Sequence, residues 1–308
     1  MSTDVSAVVV SYRSAAFLPA CLAGLREAAP GRSLETILVD NASPDGAPEL
    51  VKRIAPRVRL VENPVNRGFA AAANQGAREA GGRFLLFLNP DARPAAGALE
   101  VLLQALVARP QAGLAAPRLV FPDGSPQLSA WPEPGLLALA VEALLQRPLA
   151  PLRGLGRGAG TGRGPVVVPC LSGACLLVER ELFQAVGGFD ERFFLYHEDW
   201  DLCLRARSAG RLCLLVPSVT AVHALGASAF QDRAAFWRLF HQSRDVFIRK
   251  HVPGLRGRAA LLTQRLALDL HALVSGLAGR PEEARALRAA RRALPAWGAS
   301  LTSLRAGC

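Results

Sequence analysis

Through the first third of the chain, short continuous apolar runs alternate with stretches whose apolar residues recur every three or four positions. Ala7–Tyr12 reads as a buried strand, and Ala15–Ala28 places Phe17, Leu18, Leu22 and Leu25 on one helical face. Thr36–Val39, Val58–Val61 and Arg83–Leu88 read as further strands. Gly68–Ala80 and Ala95–Ala108 read as helices, the first closed by Gly81-Gly82. This alternation predicts parallel β-α-β units covered on both faces. Ligands bind such sheets beyond the carboxyl ends of the strands, where Asp40 and Asp91 fall.

The pattern breaks over about residues 122–165. Pro122, Pro126, Pro132, Pro134, Pro148 and Pro151 precede the glycine-rich run Gly154–Gly164, which predicts a flexible insertion with one short apolar helix near Leu136–Leu145. Gly154-x-Gly156-x-x-Ala159 follows no strand, so it is not read as a dinucleotide loop. Order resumes with strands at Val166–Val168, Ala174–Val178, Leu212–Val216 and Thr220–His223. Helices are expected at Arg180–Val186 and Glu198–Ala209, and from Ala234 onward. The expected organisation is an α/β domain over residues 1–230 and a helical C-terminal extension over 231–308.

A content of 51% hydrophobic and 20% charged residues excludes a wholly disordered chain. No apolar run reaches the length of a membrane-spanning helix without a charge. The N-terminus lacks the basic and apolar regions of a signal peptide, so a cytoplasmic location is expected. The six cysteines form no Cys-x-x-Cys pair and read as buried, reduced thiols. Charge is uneven: residues 231–308 hold 14 Arg and Lys against 5 Asp and Glu, while residues 1–230 hold 22 against 20. Leu262, Leu266, Leu270, Leu273 and Leu277 form an apolar stripe within that basic tail. The combination predicts peripheral attachment to an anionic membrane surface, here the inner face of the plasma membrane, rather than nucleic-acid binding. Packing of the stripe on the α/β domain is the alternative.

Three features carry candidate chemistry. Asp91 follows the run Phe84–Leu88, where a lone carboxylate can hold a divalent cation whose other ligands are phosphate and water; a helix-capping aspartate is the competing reading. His197-Glu198-Asp199-Trp200-Asp201 crowds three carboxylates at a predicted helix start, with an aromatic side chain suited to stacking on a sugar. The helix dipole explains one or two of these carboxylates without any site. His223 lies at a strand end before Gly226-Ala227-Ser228, and is either a ligand or a structural histidine.

Taken in order, Val9-Val10-Ser11-Tyr12, Val39-Asp40-Asn41-Ala42-Ser43-x-Asp45-Gly46, Asn66-x-Gly68-Phe69-Ala70, Asn74-x-Gly76 and Leu88-Asn89-Pro90-Asp91 resemble the inverting family 2 glycosyltransferases. Ser172-Gly173-Ala174, Gly187-Gly188-Phe189-Asp190-Glu191-x-Phe193-Phe194 and Glu198-Asp199-x-Asp201-Leu202 continue the match. Val222-His223 and Phe247-Ile248-Arg249-Lys250-His251 resemble the rhamnosyltransferase-like branch. The likeness covers about residues 5–252.

The resemblance implies a GT-A fold, with a mixed, mostly parallel central sheet flanked by helices. It implies that Asp40 binds the nucleoside, Ser11 and Tyr12 line the base pocket, and Asn66, Gly68 and Phe69 shape the nucleotide side of the cleft. Asp91 would hold Mg²⁺ or Mn²⁺ on the donor diphosphate, with His223 as a further ligand. Asp199 would be the catalytic base, and Glu198 and Trp200 would contact the acceptor. Asn89 stands where the family's motif has its first aspartate; it can still hydrogen-bond ribose or water. Arg13 stands where Asn is frequent, either near a donor phosphate or facing solvent. The implied activity is inverting transfer of a sugar, foremost rhamnose, from a nucleotide sugar such as dTDP-rhamnose or a UDP-sugar. The implied acceptor is a glycan or lipid-linked saccharide in cell-surface polysaccharide synthesis. A nucleotidyltransferase and a non-catalytic nucleotide-sugar binding protein are the alternatives.

Overall fold

Alternation of small and β-branched residues lets one strand pack on two layers at once. In β1 (Val5–Ser11), Val5, Ala7 and Val9 face one core, and Val8 and Val10 face the other. The computed structural model describes residues 4–133, 135, 139, 142–143, 164–224 and 232–296. Most of the expected helix at Leu136–Leu145, the glycine run up to residue 163, Gly226-Ala227-Ser228 and Cys308 lie outside the described residues.

The chain divides into two units, one from Met1–Pro132, Leu152–Asp190 and Glu198–Ser228, the other from Glu133–Pro151, Glu191–His197 and Ala229–Cys308. The first unit contains β2 (Leu34–Asp40), β3 (Arg59–Glu62), β4 (Phe84–Leu88), β5 (Ala92–Pro94), β6 (Ala112–Val120), β7 (Ala130–Trp131), β8 (Val166–Val168), β9 (Cys170–Leu171), β10 (Cys175–Glu179) and β11 (Leu212–His223). Among the described residues the main sheet has nine strands in the order β3-β2-β1-β4-β10-β6-β11-β5, with β8 also on β11. The half containing β1 to β4 is parallel; β10 runs antiparallel between β4 and β6. Helices α1 (Leu18–Ala28), α2 (Ala47–Ile54) and α4 (Ala98–Val107) cover one face. Helices α3 (Phe69–Glu79), α5 (Arg180–Ala185) and α6 (Glu198–Ser208) cover the other. Gly76 lets α3 sit close to β1, because a Cβ there would lie 2.5 Å from Val8 Cγ1. Cys21, Cys170, Cys175, Cys203 and Cys213 are buried free thiols.

Several expectations are revised. Leu212–Val216 and Thr220–His223 are one strand, with a register shift between Val216 and Thr220 at Pro217 rather than a break. The Ala-rich β6 fills the centre of the sheet, and α2 fills the link between β2 and β3. Residues 122–133 are ordered where a flexible insertion is expected. Val120 bridges Pro126, Gln127 N donates to Leu119 O at 3.0 Å, and β7 pairs with β9. Backbone pairing here outweighs the prolines: Pro126, which has no N–H to give, sits at the bridge itself, and the neighbouring Gln127 N supplies the bond.

The second unit holds α7 (Arg233–His251), α8 (Gly254–Leu277) and α9 (Pro281–Arg292), with α9 packed against both of its partners. Asp232 caps α7, accepting from Ala234 N and Ala235 N at 2.9 Å. Its interior carries paired charge: Asp245 accepts from Arg249 Nε at 2.6 Å and Arg265 NH1 at 3.2 Å. Buried Arg244 meets Glu142 and the Leu139 carbonyl. Burial lowers the pKa of His197 and His241 to about 3, so both imidazoles are neutral. Leu262, Leu266, Leu270, Leu273 and Leu277 are exposed.

Candidate active site

Two of the candidate donor residues end parallel strands, and Asn66, Gly68 and Phe69 lie at the start of α3. Ser11 and Asp40 are register partners at the carboxyl ends of β1 and β2. Asp40 is buried, and its Oδ2 accepts from Ser43 N at 2.9 Å. Its Oδ1 is buried with no hydrogen-bond partner among the described residues. A buried carboxylate oxygen without a donor is expensive, and an N–H or O–H of a bound nucleoside would satisfy it. Ser11 Oγ instead spends its hydrogen bond on Ser14 Oγ at 2.9 Å. Tyr12 is half-buried with the Arg13 guanidinium 5.4 Å over its ring. Asn66 is internal scaffolding: its Oδ1 accepts from Asn41 Nδ2 at 3.0 Å and Gly68 N at 2.9 Å. Gly68, at φ 79°, starts α3, and Phe69 packs edge-on against Phe189 with centroids 5.6 Å apart.

Beyond β4, Asp91, in the turn before β5, meets His223 at the end of β11. His223 Nε2 lies 3.4 Å from Asp91 Oδ1, and both side chains are buried. His223 Nδ1 lies 2.7 Å from Gln127 Oε1, and Gln127 Nε2 donates to the His223 carbonyl at 3.3 Å. An amide oxygen only accepts, so Nδ1 carries a proton, and in the neutral imidazole Nε2 then presents its lone pair toward Asp91. Asn89 Nδ2 lies 3.3 Å from that same Nε2. Two electron-rich atoms facing one another across 3.4 Å, with the histidine oriented from behind, suit a shared divalent cation. Among the described residues no group of three or more His, Cys, Asp or Glu side chains could hold an ion. A cation here would therefore need a ligand's oxygens to complete its shell.

The acidic segment starts α6, and its carboxylates have different fates. Asp201 is fully buried and ion-paired with Arg205 NH2 at 2.7 Å, so it serves structure. Glu198 is buried, its Oε2 without a hydrogen-bond partner among the described residues; burial, then the Asp199 charge, raises its pKa well above the usual range. Asp199 stays partly exposed. Burial raises its pKa to about 6, against the opposing pull of the Gly173, Trp200 and Asp199 backbone donors. Gly173 N donates to its Oδ2 and Trp200 N to its Oδ1, each at 2.8 Å. These bonds fix the carboxylate while leaving it ionised at neutral pH. Trp200 packs in a tilted contact on Trp131, ring centroids 5.4 Å apart, an aromatic partner that the reading of residues 122–165 as flexible does not anticipate.

The two groups share one end of the sheet. Asn89 N donates to Ala174 O at 3.0 Å, and neighbouring Gly173 holds Asp199. One short turn thus links the Asp91–His223 pair to the carboxylate. A Cβ at Gly173 would lie 3.1 Å from Asp199 Cβ. Among the described residues four non-glycine positions have positive φ: Arg13, Ala42, Tyr196 and His197, at 51°, 61°, 72° and 66°. All four lie within three residues of a candidate site residue, in a conformation that costs about 1–3 kcal/mol each. Asn74 and Gly188, part of the matching motifs, are structural. Asn74 Nδ2 donates to Phe189 O at 2.8 Å and its Oδ1 accepts from Phe189 N at 2.9 Å; Gly188 approaches it at φ 70°.

Residues 6–187 match the family described as Glycosyl transferase family 2. The chain is 35% identical over 289 residues to N-acetylglucosaminyl-diphospho-decaprenol L-rhamnosyltransferase of Mycobacterium tuberculosis, covering 88% of this chain and 94% of that protein. In structure it is similar to mannosyltransferase PcManGT from Pyrobaculum calidifontis in complex with GDP-Man and Mn²⁺. The TM-score is 0.56 and the identity 21%, covering 94% of this chain and 86% of that one. A second likeness is to GalNAc-T7 with UDP, GalNAc and Mn²⁺, with TM-score 0.56 and 18% identity, covering 83% of this chain and 51% of that one.

Proposed function

Because the chain belongs to glycosyl transferase family 2, and is therefore a glycosyltransferase, we propose that it transfers rhamnose with inversion from a nucleoside diphosphate donor, dTDP-rhamnose, to a lipid-linked saccharide. The observation that carries this reading is the link from Asp91 and His223 through Asn89 and the Gly173-Ala174 turn to Asp199. The chemistry needs a charge-stabilising site and a base side by side, and this turn supplies that adjacency.

In this reading Asp40 Oδ1 accepts a hydrogen bond from the nucleoside. Asp91 Oδ1 and His223 Nε2 would hold Mg²⁺ or Mn²⁺, which when bound offsets charge growing on the leaving diphosphate. Asp199, ionised above pH about 6, takes the proton from the acceptor hydroxyl as that oxygen attacks the anomeric carbon. Glu198, whose pKa is raised by burial and then by the Asp199 charge, contacts the acceptor. Trp200, braced by Trp131, offers a face to the sugar. Direct displacement needs no covalent enzyme intermediate. A lipid-linked acceptor puts the work at the inner face of the plasma membrane, and no helix among the described residues is long and apolar enough to cross it.

The test is a donor screen with a polyprenyl-diphosphate saccharide acceptor, read by mass spectrometry and by the anomeric configuration of the product. Transfer from dTDP-rhamnose with inversion is expected. Retention of configuration, or turnover with UDP-sugars alone, would overturn the mechanism or the donor respectively.

A further inference from the structure

We propose that the exposed leucine face of α8, with the arginine cleft between α8 and α9, is a docking surface for an anionic lipid bilayer. The inference deepens the lipid-linked acceptor reading and rests on it for its purpose, though the surface is defined by the second unit alone. Leu255, Leu262, Leu266, Leu270, Leu273 and Leu277 are 48–81% exposed. At about 100° per residue they fall within one narrow stripe, running about 33 Å along the helix axis. Scattered exposed leucines are ordinary, but an unbroken line of them on one face marks an interaction surface.

Charge selects the occupant. Beside the stripe, α8 and α9 enclose a cleft of about 400 Å³ lined by Asp269, Ala272, Leu273, Arg288, Arg291 and Arg292. Asp269 is neutralised by Arg291 Nε at 3.2 Å. Arg288 and Arg292 are exposed and make no ion pair among the described residues. The cleft therefore carries net positive charge, with Leu273 belonging to both the cleft and the stripe. Arg256 and Arg258, also exposed, flank the amino-terminal end of the same face. A purely apolar partner, such as the same face of a second copy, would bring these arginines together and leave them unmatched. A bilayer with anionic headgroups answers both features: phosphate meets the cleft while the leucines enter the acyl boundary. α8 is not apolar enough to span, so it lies in the interface plane.

The experiment is vesicle co-sedimentation of the full chain with phosphatidylcholine alone and with phosphatidylcholine containing phosphatidylglycerol, at low and high salt. Binding should require phosphatidylglycerol and weaken with salt. Arg288→Gln and Arg292→Gln should each weaken it about fivefold. The double variant Leu266→Ser/Leu270→Ser should abolish it with unchanged circular dichroism and thermal midpoint. Transfer to a water-soluble acceptor analogue should be untouched in every variant. Equal binding to neutral vesicles, tight binding of inorganic phosphate that the vesicles do not displace, or a leucine-dependent dimer in light scattering would overturn the proposal. If vesicle binding fails while transfer to the soluble acceptor persists, only the docking surface is wrong. If vesicle binding holds while no sugar is transferred, the functional reading is wrong instead.

Discussion

At the residue scale the site rests on protons held in particular places. Asp199→Asn keeps the helix start but removes basicity, so the rate should fall about 10²–10⁴-fold while donor affinity changes little. A helix-capping role alone would leave the Asn variant near native. In the native enzyme kcat/KM should drop tenfold per pH unit below about pH 6, because the group whose pKa is about 6 must be ionised to act. A profile flat down to pH 5 would remove Asp199 from the role of base. Gln127 holds the His223 tautomer, so Gln127→Leu should free Nδ1. Mn²⁺ affinity, read by electron paramagnetic resonance with nucleoside diphosphate present, should weaken about 10–100-fold. Imidazole ¹⁵N shifts in the metal-free protein should show mixed tautomers, whereas Gln127→Glu, which keeps an acceptor, should preserve the native tautomer. The positions of Asp40, Asp91, Asp199 and His223 at strand ends and a helix start were legible from the apolar runs, but the pattern left Asp91 and His223 open between a site and a structural role, and only the resemblance to family 2 glycosyltransferases proposed them as site residues. Gln127 and Trp131 were not: they sit among prolines, and only the β7–β9 pairing and the Val120–Pro126 bridge make that stretch a scaffold.

Among elements, legibility followed periodicity. The parallel half of the sheet was readable because β1, β2 and β4 are continuous apolar runs and α1 and α3 have clear faces. Strand β6, Ala112-Gly113-Leu114-Ala115-Ala116-Pro117-Arg118-Leu119-Val120, was not, since alanine, glycine and proline are poor strand formers. Its place between β10 and β11, where small side chains fit, overrides that preference. The turn between α7 and α8 shows the same dependence on close approach. A Cβ at Gly257 would lie 1.9 Å from the Val252 carbonyl oxygen, so no side chain fits without moving the backbone. Gly257→Ala should cost about 2 kcal/mol or more in chemical denaturation, despite alanine's better helix propensity. A stabilised variant would show that the two helices can separate there freely.

For the whole molecule, the raised pKa of Asp199 is also a stability statement. A carboxyl near 4 when unfolded and about 6 when folded stabilises the protein fully below pH 4. That contribution is lost as pH rises through 6, to a total of up to about 3 kcal/mol. The Asn variant escapes this loss, although its single carbonyl oxygen can satisfy only one of the two amides that Asp199 accepts. Its thermal midpoint relative to the native chain should therefore climb between pH 4 and 7; a constant difference would contradict the pKa assignment. Finally, the buried thiols give the molecule its own clock. Cys21 and Cys175 lie in the core on one face of the sheet, and Cys170, Cys203 and Cys213 in the core on the other. Burial raises the pKa of Cys175 to about 12 and raises that of Cys21, and the hydrogen bond with Cys213 followed by burial raises that of Cys203, so these three thiols offer an alkylating reagent little thiolate until packing opens. Labelling at rising denaturant, followed by peptide mapping, would tell whether the two layers of the fold come apart together or one before the other.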